Sequence, residues 1–334
     1  MKIGVIGDGG WGSALALTAA RNGHEVRVWG PDAAYLAEVA RTRENPRFLP
    51  GVRMEGDLSW SSEPEAVAGG ADALVFVVPS QYARATMKRF AGAVKAAGTP
   101  PAASATKGFE ESTLQRMSEL MRDEWGVEAP AVLSGPSIAP ETARGVPTAV
   151  TVACADAGRA EFFQRLFAGE SFRVYTSGDV TGVELGGALK NVIALAAGIC
   201  DGLGYGYNAK AALVTRGAAE IARLGVAMGA KEETFAGLSG IGDLMVTCFS
   251  PQSRNHTVGE RLGKGETLEE ILGGMVQVAE GVCTCASALA LARKHGVDVP
   301  IVEQVDAVLH HGRTAREAVR QLMGRPGKAE RGAG

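Results

Sequence analysis

The first thirty residues limit the fold more than any other stretch. Lys2-Ile3-Gly4-Val5-Ile6 is a short apolar run that ends in Gly7-Asp8-Gly9-Gly10-Trp11-Gly12. A helical run follows from Ala14 to Arg21 and stops at Asn22-Gly23, and Glu25-Val26-Arg27-Val28-Trp29 then reads as a second strand. The glycines at 7, 9 and 12 fit G-x-G-x-x-G. In that pattern Gly7 permits the tight turn, Gly9 lets a pyrophosphate reach the backbone, and Gly12 lets helix and strand pack closely. The helix N-terminus supplies oriented N–H groups to the phosphates. A tight βα turn with no ligand is the alternative, but the strand–turn–helix–strand context points to dinucleotide binding.

An acidic residue about 20 positions beyond the last glycine usually binds the ribose hydroxyls of NAD, and Asp32 stands at that place. Gly30-Pro31-Asp32 also reads as a turn in which Asp32 caps a helix from Ala33, and that reading is preferred. NAD and NADP therefore stay open as cofactors. Ala73 to Val78 is a continuous apolar run, as in a strand covered on both faces, and shorter runs recur at Ala102 to Ala105, Ala131 to Leu133, Thr148 to Val152 and Phe172 to Tyr175. Helical stretches separate most of them, including Ser112 to Trp125, which opens with the capping box Ser112-x-x-Gln115. Strand alternating with helix predicts an α/β Rossmann-type, doubly wound and mostly parallel sheet over residues 1–180. Ligands in such sheets sit beyond the carboxyl ends of the strands. Pro79-Ser80, Thr106-Lys107-Gly108 and Ser134-Gly135-Pro136-Ser137 all fall at such ends.

From Gly182 the strand signals vanish, and an all-helical second domain is expected over residues 181–323, with a disordered tail at 324–334. Its first helix is apolar almost all round, which belongs inside a protein, yet it carries Lys190. The nearest charged helix neighbour, Glu184, is not at the three- or four-residue spacing that would place it alongside. A helical side chain leans back over the preceding turn, so the ammonium should stand over Gly186 and Gly187, leaving open space for a small polar molecule. The alternative is a lysine that snorkels to the surface. Two polar loops interrupt the later helices. Leu238-Ser239-Gly240-Ile241-Gly242-Asp243 offers a carboxylate, and Ser253-Arg254-Asn255 opens a helix with a hydroxyl, a guanidinium and an amide. Arg254 beside free N–H groups would suit a phosphate; an exposed arginine beside an ordinary serine cap is the other reading. Thr267-x-x-Glu270 and Thr314-x-x-Glu317 read as capping boxes.

With 334 residues, 46% of them hydrophobic and 21% charged, the chain has material for two cores. A net charge of -3 gives no reason to expect nucleic acid or an anionic membrane as partner. No apolar run approaches the ~20 residues needed to span a bilayer, no signal-peptide architecture precedes the first strand, and a cytoplasmic protein without membrane insertion is expected. The five cysteines are irregularly spaced, and Cys283-Thr284-Cys285 lacks the companions of a zinc site, so neither disulfides nor a metal is expected. The apolar helical region leaves room for a homodimer.

The ordered motifs resemble the bacterial-type NAD(P)-dependent glycerol-3-phosphate dehydrogenases over nearly the whole chain. They are Gly7-x-Gly9-x-Trp11-Gly12, Asn45-x-Arg47-Phe48-Leu49-Pro50-Gly51, Val78-Pro79-Ser80, Lys107-Gly108 and Leu133 to Ser137. They continue with Glu184 to Asn191, Gly240-x-Gly242-Asp243-Leu244, Ser253-Arg254-Asn255 and Val278-Ala279-Glu280-Gly281. The resemblance implies reduction of dihydroxyacetone phosphate to sn-glycerol 3-phosphate, a phospholipid precursor, by NADPH or NADH. It implies Lys190 as the catalytic lysine, and Lys107, Gly135, Ser137, Lys190, Asp243, Ser253, Arg254 and Asn255 as substrate residues. Gly7, Gly9, Gly10, Trp11, Gly12, Lys107, Ala139, Arg254, Val278 and Glu280 would meet the dinucleotide. This chain departs from the family pattern at Pro31, where many members carry a basic residue, at Gly10, commonly serine, and at Tyr207, frequently acidic. Other readings are reduction of a different small keto acid, or a dinucleotide sensor without turnover.

Overall fold

A computed structural model of the chain describes residues 1–275, 279–327 and 329–330. The strands are β1 (Lys2–Ile6), β2 (Glu25–Trp29), β3 (Glu44–Asn45), β4 (Leu49–Arg53), β5 (Leu58–Ser61), β6 (Ala73–Phe76), β7 (Ala102–Ser104), β8 (Ala131–Ser134), β9 (Thr148–Ala153) and β10 (Phe172–Ser177). Eight of them form one sheet in the order β10-β9-β8-β7-β6-β1-β2-β5, while β3 and β4 pair as a small antiparallel hairpin. Every pairing in the large sheet is parallel except β8 with β9. The expected mostly parallel, doubly wound sheet is therefore present, and β3, β4 and β5 are additions to the strands read from sequence. The carboxyl ends of β1, β6, β7 and β8 lie side by side along one edge.

One helix in the sheet region starts later than expected. The capping box Ser112-x-x-Gln115 does not form; the helix runs only from Met117 to Trp125, with the Glu119 carboxylate accepting the Arg116 N–H at 2.8 Å. Residues 110–115 serve Arg84 instead, whose guanidinium donates to Glu110 and to Gln115. A long-range cation outcompeted a local cap.

After β10 the named elements among the described residues are all helices, the last of them Ala315–Met323. The Val180–Gly202 helix is the axis of this region, capped by Asp179, whose carboxylate accepts the Gly182 N–H at 2.9 Å. By length and composition it could cross a membrane, with a mean hydropathy of 1.5 over its most apolar window, which corrects the reading that no run was long enough. That window is wholly buried within the fold. Neighbouring helices close on it through small residues: a Cβ at Gly198 would stand 2.0 Å from the His256 carbonyl oxygen, and one at Gly259 2.0 Å from that of Leu195. Backbone thus meets backbone, which fixes the Arg254–Gly263 helix against the axis. The capping boxes at Thr267/Glu270 and Thr314/Glu317 both form. Residue 328 and residues 331–334 of the expected tail lie outside the described residues.

Candidate active site

The glycine turn after β1 has the geometry its residues require. Gly7 has φ +130, which L side chains rarely adopt, and a Cβ at Gly12 would stand 2.0 Å from the Gly7 carbonyl oxygen. At Gly9, the N-cap of the Gly10–Arg21 helix, a Cβ would meet nothing within 4 Å. An open face beside the N–H groups of a helix start fits a dinucleotide pyrophosphate, and no capping side chain competes for those donors. Ala139 lies next to Gly10, 3.7 Å from a Cβ built there. The same Cβ would come within 2.7 Å of the Phe48 carbonyl oxygen, so glycine instead of serine lets the β3–β4 loop rest on the turn. Trp11 follows in the first helical turn, with its indole N–H buried and without a partner among the described residues.

From this turn the strand ends make a continuous ledge. A Cβ on Gly7 would touch the Val77 carbonyl oxygen after β6, and Ser80, further along that segment, meets Gly108 after β7. Lys107 then spans to the β8 loop, its ammonium donating to the Gly135 carbonyl at 3.2 Å and to Ser137 Oγ at 3.3 Å. Ser137 is no helix cap; its hydroxyl donates to the Gly135 carbonyl at 2.8 Å.

The helical region supplies the facing groups. Asp243 is fully buried, and Lys107 Nζ donates to its Oδ2 at 2.6 Å. Lys190 Nζ donates to the other oxygen, Oδ1, and to Thr247 Oγ1 at 2.8 Å. The Thr247 hydroxyl is in turn committed to the Asp243 carbonyl at 2.6 Å. Two ammonium groups from opposite sides of the seam therefore share one carboxylate. Burial pushes Lys190 down to about 7 from its ordinary 10.5; Asp243 opposes the fall and the Lys107 charge adds to it.

Lys190 is buried, so it does not snorkel, but the expected open floor beneath it is absent. A Cβ at Gly186 would stand 2.3 Å from the Ser239 carbonyl oxygen, and one at Gly187 2.5 Å from Ser134 Oγ. Those glycines admit neighbours rather than a ligand, drawing the Asp243 loop and β8 against the axis.

Ser253 caps its helix, accepting the His256 N–H at 3.3 Å, and Arg254 is the exposed first helical residue. Asn255 is buried, donating to Asn191 Oδ1 at 3.0 Å and accepting the Gly281 N–H at 2.8 Å. Its amide ties three helices together, and among the described residues it makes no hydrogen bond to Lys190. Burial pushes the Glu280 carboxyl up, with Arg254, Lys107 and Lys190 opposing in that order, so Glu280 shares their field. Val278 lies outside the described residues. Thr247 and Asn191 belong to this constellation although the sequence reading assigned them no role. Thr247 was detectable as the residue one helical turn after Asp243.

A glycine-turn cradle leading to a buried, pKa-depressed lysine defines a dinucleotide-dependent oxidoreductase. The models of the NAD-dependent glycerol-3-phosphate dehydrogenase N-terminus and C-terminus match residues 2–160 and 179–320, and the chain belongs to that family. Among its relatives, the glycerol-3-phosphate dehydrogenase [NAD(P)+] of Geobacter metallireducens is 51% identical, covering 99% of each chain. That of Syntrophotalea carbinolica is 49% identical, again over 99% of each. The crystal structure of glycerol-3-phosphate dehydrogenase from Coxiella burnetii superposes with a TM-score of 0.93 at 37% identity, covering 97% of this chain and 99% of that one.

Proposed function

We propose that this chain reduces dihydroxyacetone phosphate to sn-glycerol 3-phosphate, reversibly, with Lys190 as general acid in reduction and general base in oxidation. The observation that carries this reading is the buried Lys190 ammonium, held by Asp243 and Thr247 opposite the carboxyl edge of the sheet. Ketone reduction puts negative charge on the carbonyl oxygen, which a donor must stabilise and then protonate. A lysine with its acidity raised to near neutrality can surrender that proton without a large uphill step. Asp243 orients the amine, and Lys107 keeps the carboxylate from neutralising it alone.

Gly7, Gly9, Gly10, Trp11, Gly12 and Ala139 would hold the dinucleotide, with Lys107, Arg254 and Glu280 nearer the reacting end. The bound cofactor supplies hydride to the substrate carbon. Arg254, with the N–H groups of its helix, would take the substrate phosphate; Ser253 and Asn255 set that helix start, and Gly135 and Ser137 hold Lys107. The chain would act in two domains, 1–180 and 181–323, in the cytoplasm, and its product would feed phospholipid synthesis.

The test is NADH or NADPH consumption, followed by absorbance, with dihydroxyacetone phosphate and with unphosphorylated dihydroxyacetone. The phosphorylated ketone should be reduced with far higher kcat/KM. Equal use of both ketones would remove phosphate recognition, and no consumption with either would remove the reaction.

A further inference from the structure

The end of β2 carries a second arrangement, away from the lysines. Asp32 caps the Ala33–Thr42 helix, its Oδ1 accepting the Tyr35 N–H at 3.0 Å, as its sequence position suggested. Its other oxygen faces the Arg47 guanidinium at 3.5 Å. Arg47 comes from the β3–β4 loop, which is pinned to the glycine turn. Asn45 Nδ2 donates to the Asp8 carbonyl at 2.7 Å and to Ser13 Oγ at 2.8 Å, and its Oδ1 accepts from Tyr35 Oη at 2.6 Å. The Arg47 N–H donates to the same Tyr35 Oη at 3.0 Å, and the guanidinium lies over the Tyr35 ring, 4.0 Å from its centroid. Burial pushes the Asp8 carboxyl up, with a backbone hydrogen bond and then the Arg47 charge opposing, so the field of the guanidinium is felt at the glycine turn.

Dinucleotides seated on a glycine turn put the adenosine ribose over the end of the second strand. There an acid accepts the 2′-hydroxyl of NAD, or an arginine accommodates the 2′-phosphate of NADP. This chain has both, loosely paired and half-exposed, at 45% each. Asp32 is already committed to a helix N-terminus, whose dipole offsets its charge. The Arg47 guanidinium makes no hydrogen bond among the described residues, and stacking on Tyr35 engages its face while its planar fork of donors stays half-exposed.

We propose that Arg47 binds the adenosine 2′-phosphate and makes NADP the preferred dinucleotide of this chain, the acid at the end of β2 notwithstanding. This rests on the cofactor class alone, not on the substrate or on Lys190. Calorimetric titration with NADP+ against NAD+, and with 2′,5′-ADP against 5′-AMP, tests it without turnover. The wild-type chain should bind the 2′-phosphorylated member of each pair more tightly. Arg47→Ala should lose about ten- to a hundredfold in that affinity while NAD+ and 5′-AMP change by less than about threefold. Arg47→Lys, which keeps the charge but not the two-point fork, should fall between. Absence of a 2′-phosphate advantage in the wild type would overturn the proposal. So would an Arg47→Ala chain that keeps the advantage or loses both members of a pair alike. Failure of the substrate reading would leave these titrations unaffected.

Discussion

Two buried carboxylates bridge the sheet region and the helical region, and they do opposite things. Glu184 sits on the axis helix two turns before Lys190. Its Oε2 accepts from Arg116 Nη1 at 2.5 Å and from Ser118 Oγ at 2.7 Å, and its Oε1 accepts the Ser118 N–H at 2.8 Å. Asp243 is as deeply buried, but its partners are the Lys107 amine across the seam and the Lys190 amine on its own side. A guanidinium does not release its proton, so the cation of the Glu184 clamp is permanent, opposing the rise that burial imposes on the carboxyl. A buried ammonium is driven toward neutrality, so the Asp243 pair holds a proton that can leave. The partner's chemistry, rather than burial of the acid, separates a fixed clamp from a pair whose proton can leave.

Substitutions should separate the two bridges. The largest effect is expected from Lys190→Met: kcat for ketone reduction should fall about 10²–10⁴-fold, with cofactor affinity near that of the wild type. Steady-state kinetics and a cofactor titration check it. Glu184→Ala should do the reverse, costing about 3 kcal/mol in urea-unfolding stability by leaving Arg116 without its main buried partner, while the folded fraction keeps its kcat. Loss of turnover beyond what the drop in folded protein accounts for would erase the distinction. Arg254→Ala should raise KM for the phosphorylated ketone roughly tenfold or more, at the lower end of what charged hydrogen bonds contribute, and leave KM for dihydroxyacetone alone. Glu220→Gln is the smallest. Glu220 accepts from the Ile301 and Val302 N–H groups, and burial raises its carboxyl to about 7 from an ordinary 4.5. Its folded pKa exceeds the unfolded one, so its stabilisation is complete below 4.5 and lost as pH rises through about 7. Thermal melts of Glu220→Gln should lack that decline.

What could be read in advance followed from local chemistry. Strands such as Ala73–Phe76 announce themselves because both faces are covered and every position is apolar. β5 does not, because Leu58-Ser59-Trp60-Ser61 pairs only with β2 at the sheet margin and is half polar. The Asp32 cap and the capping boxes at Thr267 and Thr314 were legible within four residues. The true start of the Met117–Trp125 helix was not, since it depends on Arg84 far upstream. Gly186 and Gly187 were misread because missing side chains look like vacancy in a sequence, whereas packing fills them with Ser239 and Ser134. That Lys190 is buried could be argued from its helix; that Asp243 receives it, 53 residues away, could not.

The pH profile of kcat/KM for reduction, which reports the free enzyme, tests the central claim most directly when wild type and Lys190→Met are compared. Reduction needs the protonated amine, so the wild-type profile should be level below about 7 and fall as pH rises beyond it. Oxidation of the alcohol should rise over the same interval, and the variant's residual rate should lose the inflection. A Lys190→Met profile that kept it would place the moving proton on another group.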